Sequence, residues 1–231
     1  MKIRIKFEKT GALKYIGHLD VMRFFQKLNR RAGIPVAYSE GFSPHQILSF
    51  AFPLSVGFTS EGEYFDMDLT EEVNETDLKD SFNKVLNEGI SVLDVKMLPE
   101  KSANCMASVF AAKYKATIKE RVELPEDFES KFVDYFSQLT IPVNKPKKKG
   151  GGFIDIDLKD YLYDYQISGR DCYFTVNASS SGNIKPSFVM ECYFDFLGIE
   201  FKDIDINIHR IDLLTNTGLD KELKLISLME V

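Results

Sequence analysis

The chain has few of the residues that build metal centres or disulfide frameworks. Its 231 residues include three cysteines and three histidines. Cys105, Cys172 and Cys192 lie 67 and 20 residues apart. An odd number at such wide spacing excludes a disulfide framework. It also excludes a closely spaced zinc or iron–sulfur ligand set, CxxxCxxC included, so no metal and no cofactor is expected. No apolar run approaches the roughly 18 residues needed to span a bilayer. The opening MKIRIKFEKTG alternates charged and apolar residues and lacks the apolar core of a signal peptide. The expectation is a cytoplasmic protein with no membrane association. The lysine–glycine segment KPKKKGGG (145–152) does not follow the G-x-x-x-x-G-K-[ST] order of a phosphate loop and reads as a hairpin tip.

What is present is ordinary globular composition, 44% hydrophobic and 28% charged. The length allows one large domain or two of about 100 residues. Net charge is −6, which argues against a protein that coats nucleic acid, but the charge is unevenly placed. Residues 1–50 hold nine Lys/Arg against Glu8, Asp20 and Glu40, so a basic N-terminal part sits on an acidic remainder. That asymmetry points to a local anionic partner.

The hydrophobic period changes along the chain in a definite order. Ile3, Ile5 and Phe7 alternate with Lys2, Arg4, Lys6 and Glu8 as a half-buried strand. Leu19, Met22, Phe25, Leu28 and Ala32 take helical spacing over residues 18–32, and Gly33 followed by Pro35 ends that helix. Strand pieces at 35–38 and 47–54 flank a loop, and 63–69 alternates again. Asn74 caps a second helix carrying Leu78, Phe82, Val85 and Leu86, and a strand over 90–96 closes the set. The order is β-α-β-β-α-β. A second set follows: a strand over 114–122, a helix opened by Pro125, strand pieces between 141 and 178, a helix from Pro186 to the stop at Gly198, and a strand over 204–211. The fold class expected is α+β, two tandem ferredoxin-like α/β sandwiches, with domains at 1–100 and 101–231 joined near PEKSANCM (99–106). Cys192 reads as a small core residue, and His209 as a solvated strand residue opposite the isoleucines.

Two stretches carry chemistry. Asp20, Arg23, Lys27, Arg30 and Arg31 share the helix face opposite Leu19, Met22, Phe25 and Leu28, a cationic stripe suited to phosphates or a carboxylate-rich surface. His18 and Asp20 begin that helix, and two readings stand open for them, helix start or shared site. The second stretch is YSEGFSPHQILSFAFPLSVG (38–57), where Pro44 stiffens an aromatic loop. Tyr38, Phe42 and His45 are candidates for stacking on bases, with Ser39 beside them, whereas Phe50 and Phe52 read as core. Glu63, in EGEY, can reach this surface.

The segments KTGALKYIGHLDVMR, RRAGIPVAYSEGFSPH, LSFAFPLSVG and SEGEYFDMDL, in this order, resemble the radical-SAM-linked protein family, bacterial proteins encoded beside or fused to a radical SAM protein. The resemblance covers residues 1–112. It matches His18, Leu19, Asp20 and Arg23, then Arg30, Arg31, Gly33 and Pro35. It continues with Tyr38, Ser39, Gly41, Phe42, Pro44 and His45, and then Pro53, Leu54, Gly57, Ser60 and Glu63. Gln46 departs from it, standing where the family continues with a second proline, which is expected to loosen the loop. The resemblance implies a radical SAM partner and a link to RNA or ribosome maturation. Since this chain has no cluster motif, the radical chemistry would not be its own. The expected function is an accessory binding protein rather than an enzyme. It would hold RNA (tRNA or rRNA) or another anionic substrate through His18, Asp20, Arg23, Lys27, Arg30, Arg31, Tyr38, Ser39, Phe42, His45 and Glu63. The alternatives are a protein–protein adaptor or a metal-independent endoribonuclease. The latter rests on fold analogy with CRISPR repeat-processing proteins, with His18 or His45 as acid or base. Against it, the stretch TNTGLDKELKLISLMEV lacks a glycine-rich loop.

Overall fold

The computed structural model describes residues 1–99, 101–147, 150–180, 182–219 and 222–231. In chain order it runs β1 (Lys2–Lys9), α1 (His18–Arg31), β2 (Leu48–Phe50), β3 (Thr59–Asp68), α2 (Glu75–Val85), β4 (Ile90–Leu98) and the short α3 (Cys105–Ser108). It continues β5 (Ala111–Ile118), α4 (Phe128–Ser137), β6 (Pro142–Pro146), β7 (Phe153–Asp157), β8 (Leu162–Ser168) and β9 (Asp171–Asn177). It ends α5 (Pro186–Leu197), β10 (Ile206–Asn216) and β11 (Leu225–Ser227). This is a mixed α+β fold. Where the sequence suggests two consecutive domains, 1–100 and 101–231, the chain groups into one unit of residues 1–110 with 209–231 and another of 111–208. The chain therefore returns to the first unit within β10. Glu100 of the expected linker lies outside the described residues.

In the first unit, β1 lies between β4 and β3, antiparallel to both. β2 pairs antiparallel with the far end of β3 at Phe50↔Phe65, and β10 runs parallel to its start at His209↔Thr59 and Arg210↔Ser60. β11 joins β10 at Leu214↔Ser227. The period-2 pattern of β1 turns Ile3, Ile5 and Phe7 onto one face, where Val21, Phe25 and Leu28 of α1 and Leu78 and Phe82 of α2 cover them. Phe25 is the hub, with ring centroids 4.7 Å from both Phe7 and Phe65. Each such fully buried side chain contributes about 1.5–3 kcal/mol. Asn74 caps α2 as its sequence suggests, accepting from the Thr76 and Asp77 N–H groups.

The opposite face of β1 does not follow the expectation of a solvated polar side. Arg4 is 1% exposed. Its Nε and Nη2 donate to the Asp66 carboxylate at 2.8 and 3.1 Å, and its Nη1 to the Leu228 carbonyl at 2.8 Å. Asp66 also accepts from the Cys105 N–H at 2.6 Å. The cover comes from α3 and the C-terminal segment, which Lys96 anchors through the Met229 and Val231 carbonyls. Leu19, expected inward on α1, is 64% exposed, because Val21 and Phe25 fill the space beneath the helix.

In the second unit, β5 and β8 flank β9, all antiparallel, with Ala116↔Cys172 and Ile167↔Cys172 in register. The Lys119 N–H donates to the Asp205 carbonyl, which brings the start of β10 to the end of β5. Phe132 and Phe136 of α4 pack with Tyr193 of α5, Phe132 standing 5.1 Å edge-on to Tyr193. Pro186 opens α5 and Gly198 closes it in the left-handed region, as the sequence suggests. β6 and β7 form a separate hairpin. Two lysines of the KPKKKGGG segment, residues 148 and 149, lie outside the described residues. No helix among the described residues is long and apolar enough to cross a membrane.

At Gly62 on β3 the backbone of β10 passes close by. A Cβ there would overlap the Asp212 backbone. Gly62→Ala is expected to lower unfolding free energy by about 1–3 kcal/mol through overpacking, measured by urea denaturation. An unchanged midpoint would contradict the close crossing.

Candidate functional site

Helix α1 begins without a side-chain cap. Gly17 is the N-cap, and its carbonyl accepts from the N–H groups of Asp20 and Val21. Asp20 is exposed and meets Arg23 at 3.4 Å, a surface pair of small energetic weight. His18 opens the helix and Asp20 lies in its first turn, as the helix-start reading expects. Neither side chain caps the helix, and the two point to different surroundings. Arg23, Lys27 and Arg30 are exposed along α1. Arg31 instead donates to the Val85 carbonyl at the end of α2, so it ties two helices together as well as carrying charge.

The loop 38–46 closes on itself and then on α1. Tyr38 bridges Gln46, and the Ser39 N–H donates to the His45 carbonyl at 2.8 Å. Ser39 Oγ accepts from the His45 N–H at 3.1 Å and lies 2.8 Å from His45 Nδ1. Gln46, expected to loosen the loop, instead pins it. It is 6% exposed, and its Oε1 accepts from Asn29 Nδ2 at 2.8 Å. Its Nε2 donates to the Gln26 carbonyl at 3.0 Å and to the Tyr38 hydroxyl at 3.3 Å. A proline could make none of these bonds. Arg23 and Arg30 lie about one turn on either side of Gln26. The loop is thereby tied at Tyr38, 49% exposed, to the helix that carries the cationic stripe, while Phe42 is fully exposed at the loop's tip.

His18 and Glu63 belong to a different place, the end of the first unit's core. Glu63 is buried between strands and receives Arg210 Nε at 2.8 Å, with Arg210 Nη2 also on its Oε1. The same guanidinium donates to the Phe52 carbonyl at 2.8 Å and lies over the Phe52 ring. Lys9, 2% exposed, donates to the Ile16 carbonyl at 3.2 Å. His18 stands edge-on to Phe50 at 5.6 Å. Lys9, His18 and Glu63 share, with Phe7, Phe50 and Phe52, a cavity of about 10 Å³, room for about one water. Burial pushes the Lys9 amine and the His18 imidazole below their ordinary values, Glu63 opposing the shift and Arg210 adding to it. A substrate does not fit there, so the arrangement acts as a brace under the start of α1.

Lys9 and Arg210 were missing from the sequence expectation, although parity carried a signal for both. Lys9 continues the inward series Ile3, Ile5, Phe7, and Arg210 continues the buried pair Ile206 and Ile208. His209, expected to be solvated, is half-buried, with its Nδ1 2.9 Å from the Thr59 hydroxyl. Among the described residues no group of His, Cys, Asp and Glu is placed to hold a metal ion. The three cysteines are buried and free.

A family model described as an uncharacterized protein conserved in bacteria, DUF2344, matches residues 2–186. No curated protein matches the chain. Among solved structures, a chain in the crystal structure of a Cbf5-Nop10-Gar1 complex is similar at TM-score 0.48 and 12% identity, over 91% of this chain and 48% of that one. A chain in the crystal structure of a heavy metal efflux pump is similar at TM-score 0.25 and 9% identity, over 92% of this chain and 28% of that one. This chain thus spans about half the length of the first. None of these matches names a radical SAM protein.

Two outcomes test the brace. Glu63→Ala leaves Arg210 buried and uncompensated, and is expected to cost about 3–5 kcal/mol in chemical denaturation. The folded pKa of His18 lies below the ordinary 6.5, so the unfolded chain takes up the proton first as pH falls. The stability supported by neutral His18 is whole above about pH 6.5 and is lost as pH falls toward the folded value. His18→Gln should therefore flatten unfolding free energy against pH between about 7.5 and 5, and a slope equal to that of the parent would assign the titration to another group.

Proposed function

The chain belongs to the DUF2344 family of bacterial proteins, and we propose that it is a non-catalytic module that binds RNA through the cationic face of α1 and the aromatic loop 38–46. The observation that supports this reading is the Gln46 pin, which ties the loop at Tyr38 to Gln26 and Asn29 of α1, the helix that carries Arg23, Lys27 and Arg30. Cations neutralise phosphates and release counterions, while exposed rings stack on unpaired bases. A loop already tethered loses less freedom on binding than a floppy one. The radical-SAM-linked resemblance adds a partner to the proposal, a radical SAM enzyme to which this module presents its RNA in the cytoplasm. The β-α-β-β-α-β order, with β4, β1, β3 and β2 side by side, supports reading the first unit as a ferredoxin-like sandwich. The ribonuclease alternative is weakened by the surroundings of its two histidines. His18 lines a water-sized cavity, while His45 is engaged by Ser39 on an exposed loop.

Fluorescence anisotropy with tRNA and rRNA fragments at two salt concentrations tests the proposal. Arg23→Ala with Arg30→Ala should weaken binding and reduce the salt slope by about 1–2. Phe42→Ala should cost about 1–3 kcal/mol if it stacks on a base. Absence of saturable binding at low salt, or affinity untouched by both variants, would refute it.

A further inference from the structure

A cavity in the second unit belongs to none of this. It has a volume of about 590 Å³ and lies between the β6–β7 hairpin and the start of α5. That is within the usual range of small-molecule sites, about 300–1,000 Å³. Lys145 and Lys147 of the hairpin side and Lys185 at the start of α5 all line it. The Lys145 amine is occupied, donating to the Asn183 carbonyl at 2.7 Å and lying over the Tyr161 ring. Lys147 and Lys185 are exposed, and neither side chain makes an ion pair among the described residues. The cavity is not uniformly basic. Phe188 and Phe201 supply apolar wall, and Glu191 and Asp203 supply carboxylates.

Three kinds of lining side chain thus meet in one ligand-sized space. Ammonium groups take phosphate oxygens in charge-assisted hydrogen bonds. Aromatic faces take a planar base by stacking. Carboxylates accept from an exocyclic amine. We propose that this cavity binds a nucleoside phosphate, its phosphates at Lys147 and Lys185, its base against Phe188 and Phe201, and the base's amino group donating to Glu191 or Asp203. The site lies wholly within residues 111–208, and it stands apart from the RNA reading of α1.

Isothermal titration calorimetry of the full chain with ADP, UDP, adenosine and inorganic phosphate tests it. ADP should bind saturably, and adenosine or inorganic phosphate at least about tenfold more weakly, because each makes only part of the contacts. UDP, which has no exocyclic amine, should also bind more weakly. Lys147→Gln with Lys185→Gln should weaken ADP by about tenfold or more. Both lysines are exposed, so this variant should keep its fold, checked by an unchanged thermal midpoint. Arg23→Ala with Arg30→Ala should leave ADP binding as it is, which separates this site from the RNA surface. Absence of saturable ADP binding, or ADP affinity equal in parent and lysine variant, or UDP equal to ADP, would overturn the proposal.

Discussion

The pairing of Glu63 with Arg210 is the contact on which the first unit depends. The parallel ladder between β10 and β3 has two residue pairs in register, His209↔Thr59 and Arg210↔Ser60, and so short a ladder offers few backbone hydrogen bonds. The guanidinium supplies what the ladder lacks, with Nε and Nη2 on one carboxylate and Nη2 also on the Phe52 carbonyl. Taking both charges out of water costs several kcal/mol per ion, and the close pairing together with the bond to the Phe52 carbonyl offsets part of this. Three residues further along β3, on its other face, Asp66 plays the same part, gathering Arg4 and the Cys105 N–H. β3 is thus fastened on both faces by a buried carboxylate. Each carboxylate recruits chain from far away, Arg210 from the return strand and, through Arg4, the Leu228 carbonyl from the C-terminal segment.

Periodicity made the elements legible because each buries a face of its own. Ile3, Ile5 and Phe7, or Leu78 and Phe82, announce their core side locally, and β1, α1, α2 and β4 stand where the pattern puts them, whereas the strand expected at 35–38 is reduced to isolated bridges and α3 and β11 carry no such signal. What alternation does not carry is whether the other face is wet. Arg4 looks like a surface residue until α3 and the last residues of the chain cover it, and nothing near position 4 encodes that cover. Regrouping of 209–231 with the first unit escapes a linear reading for the same reason. Lys9 and Arg210 were partly legible, since parity turns both inward. Charge, however, argues for the surface wherever the partner, here Glu63, is distant in sequence.

The candidate site was legible as residue types but not as a grouping. Read along the chain, His18, Asp20, His45 and Glu63 look like one constellation. In three dimensions a single helical step of two residues separates a half-buried histidine from an exposed aspartate, because 200° of rotation lies between them on a 3.6-residue helix. Gln46 shows the converse. As a departure from a proline it suggests slack, yet an amide carries the two donors and one acceptor that Asn29, Gln26 and Tyr38 can use. The neutral pin also suits its place. A charged anchor there would have to be desolvated against buried Asn29, whereas an amide is buried at lower cost.

The interior cluster and the exposed surface meet in one element, α1. Its first residue is set into the Lys9, Glu63 and Arg210 cluster, its buried side is held by Phe7 and Phe65, and its flank is bonded to Gln46. A helix of 14 residues with an uncapped start would fray in isolation. Fastened at its N-terminus, core face and flank, it keeps Arg23, Lys27 and Arg30 at fixed spacing. A partner with regularly spaced phosphates gains from that fixity, because the ordering cost is met in folding rather than in binding. Burying Lys9, Glu63 and Arg210, with His18 half-buried beside them, is costly for a cluster with no room for a substrate. It is accounted for by the rigidity it gives to the surface above it.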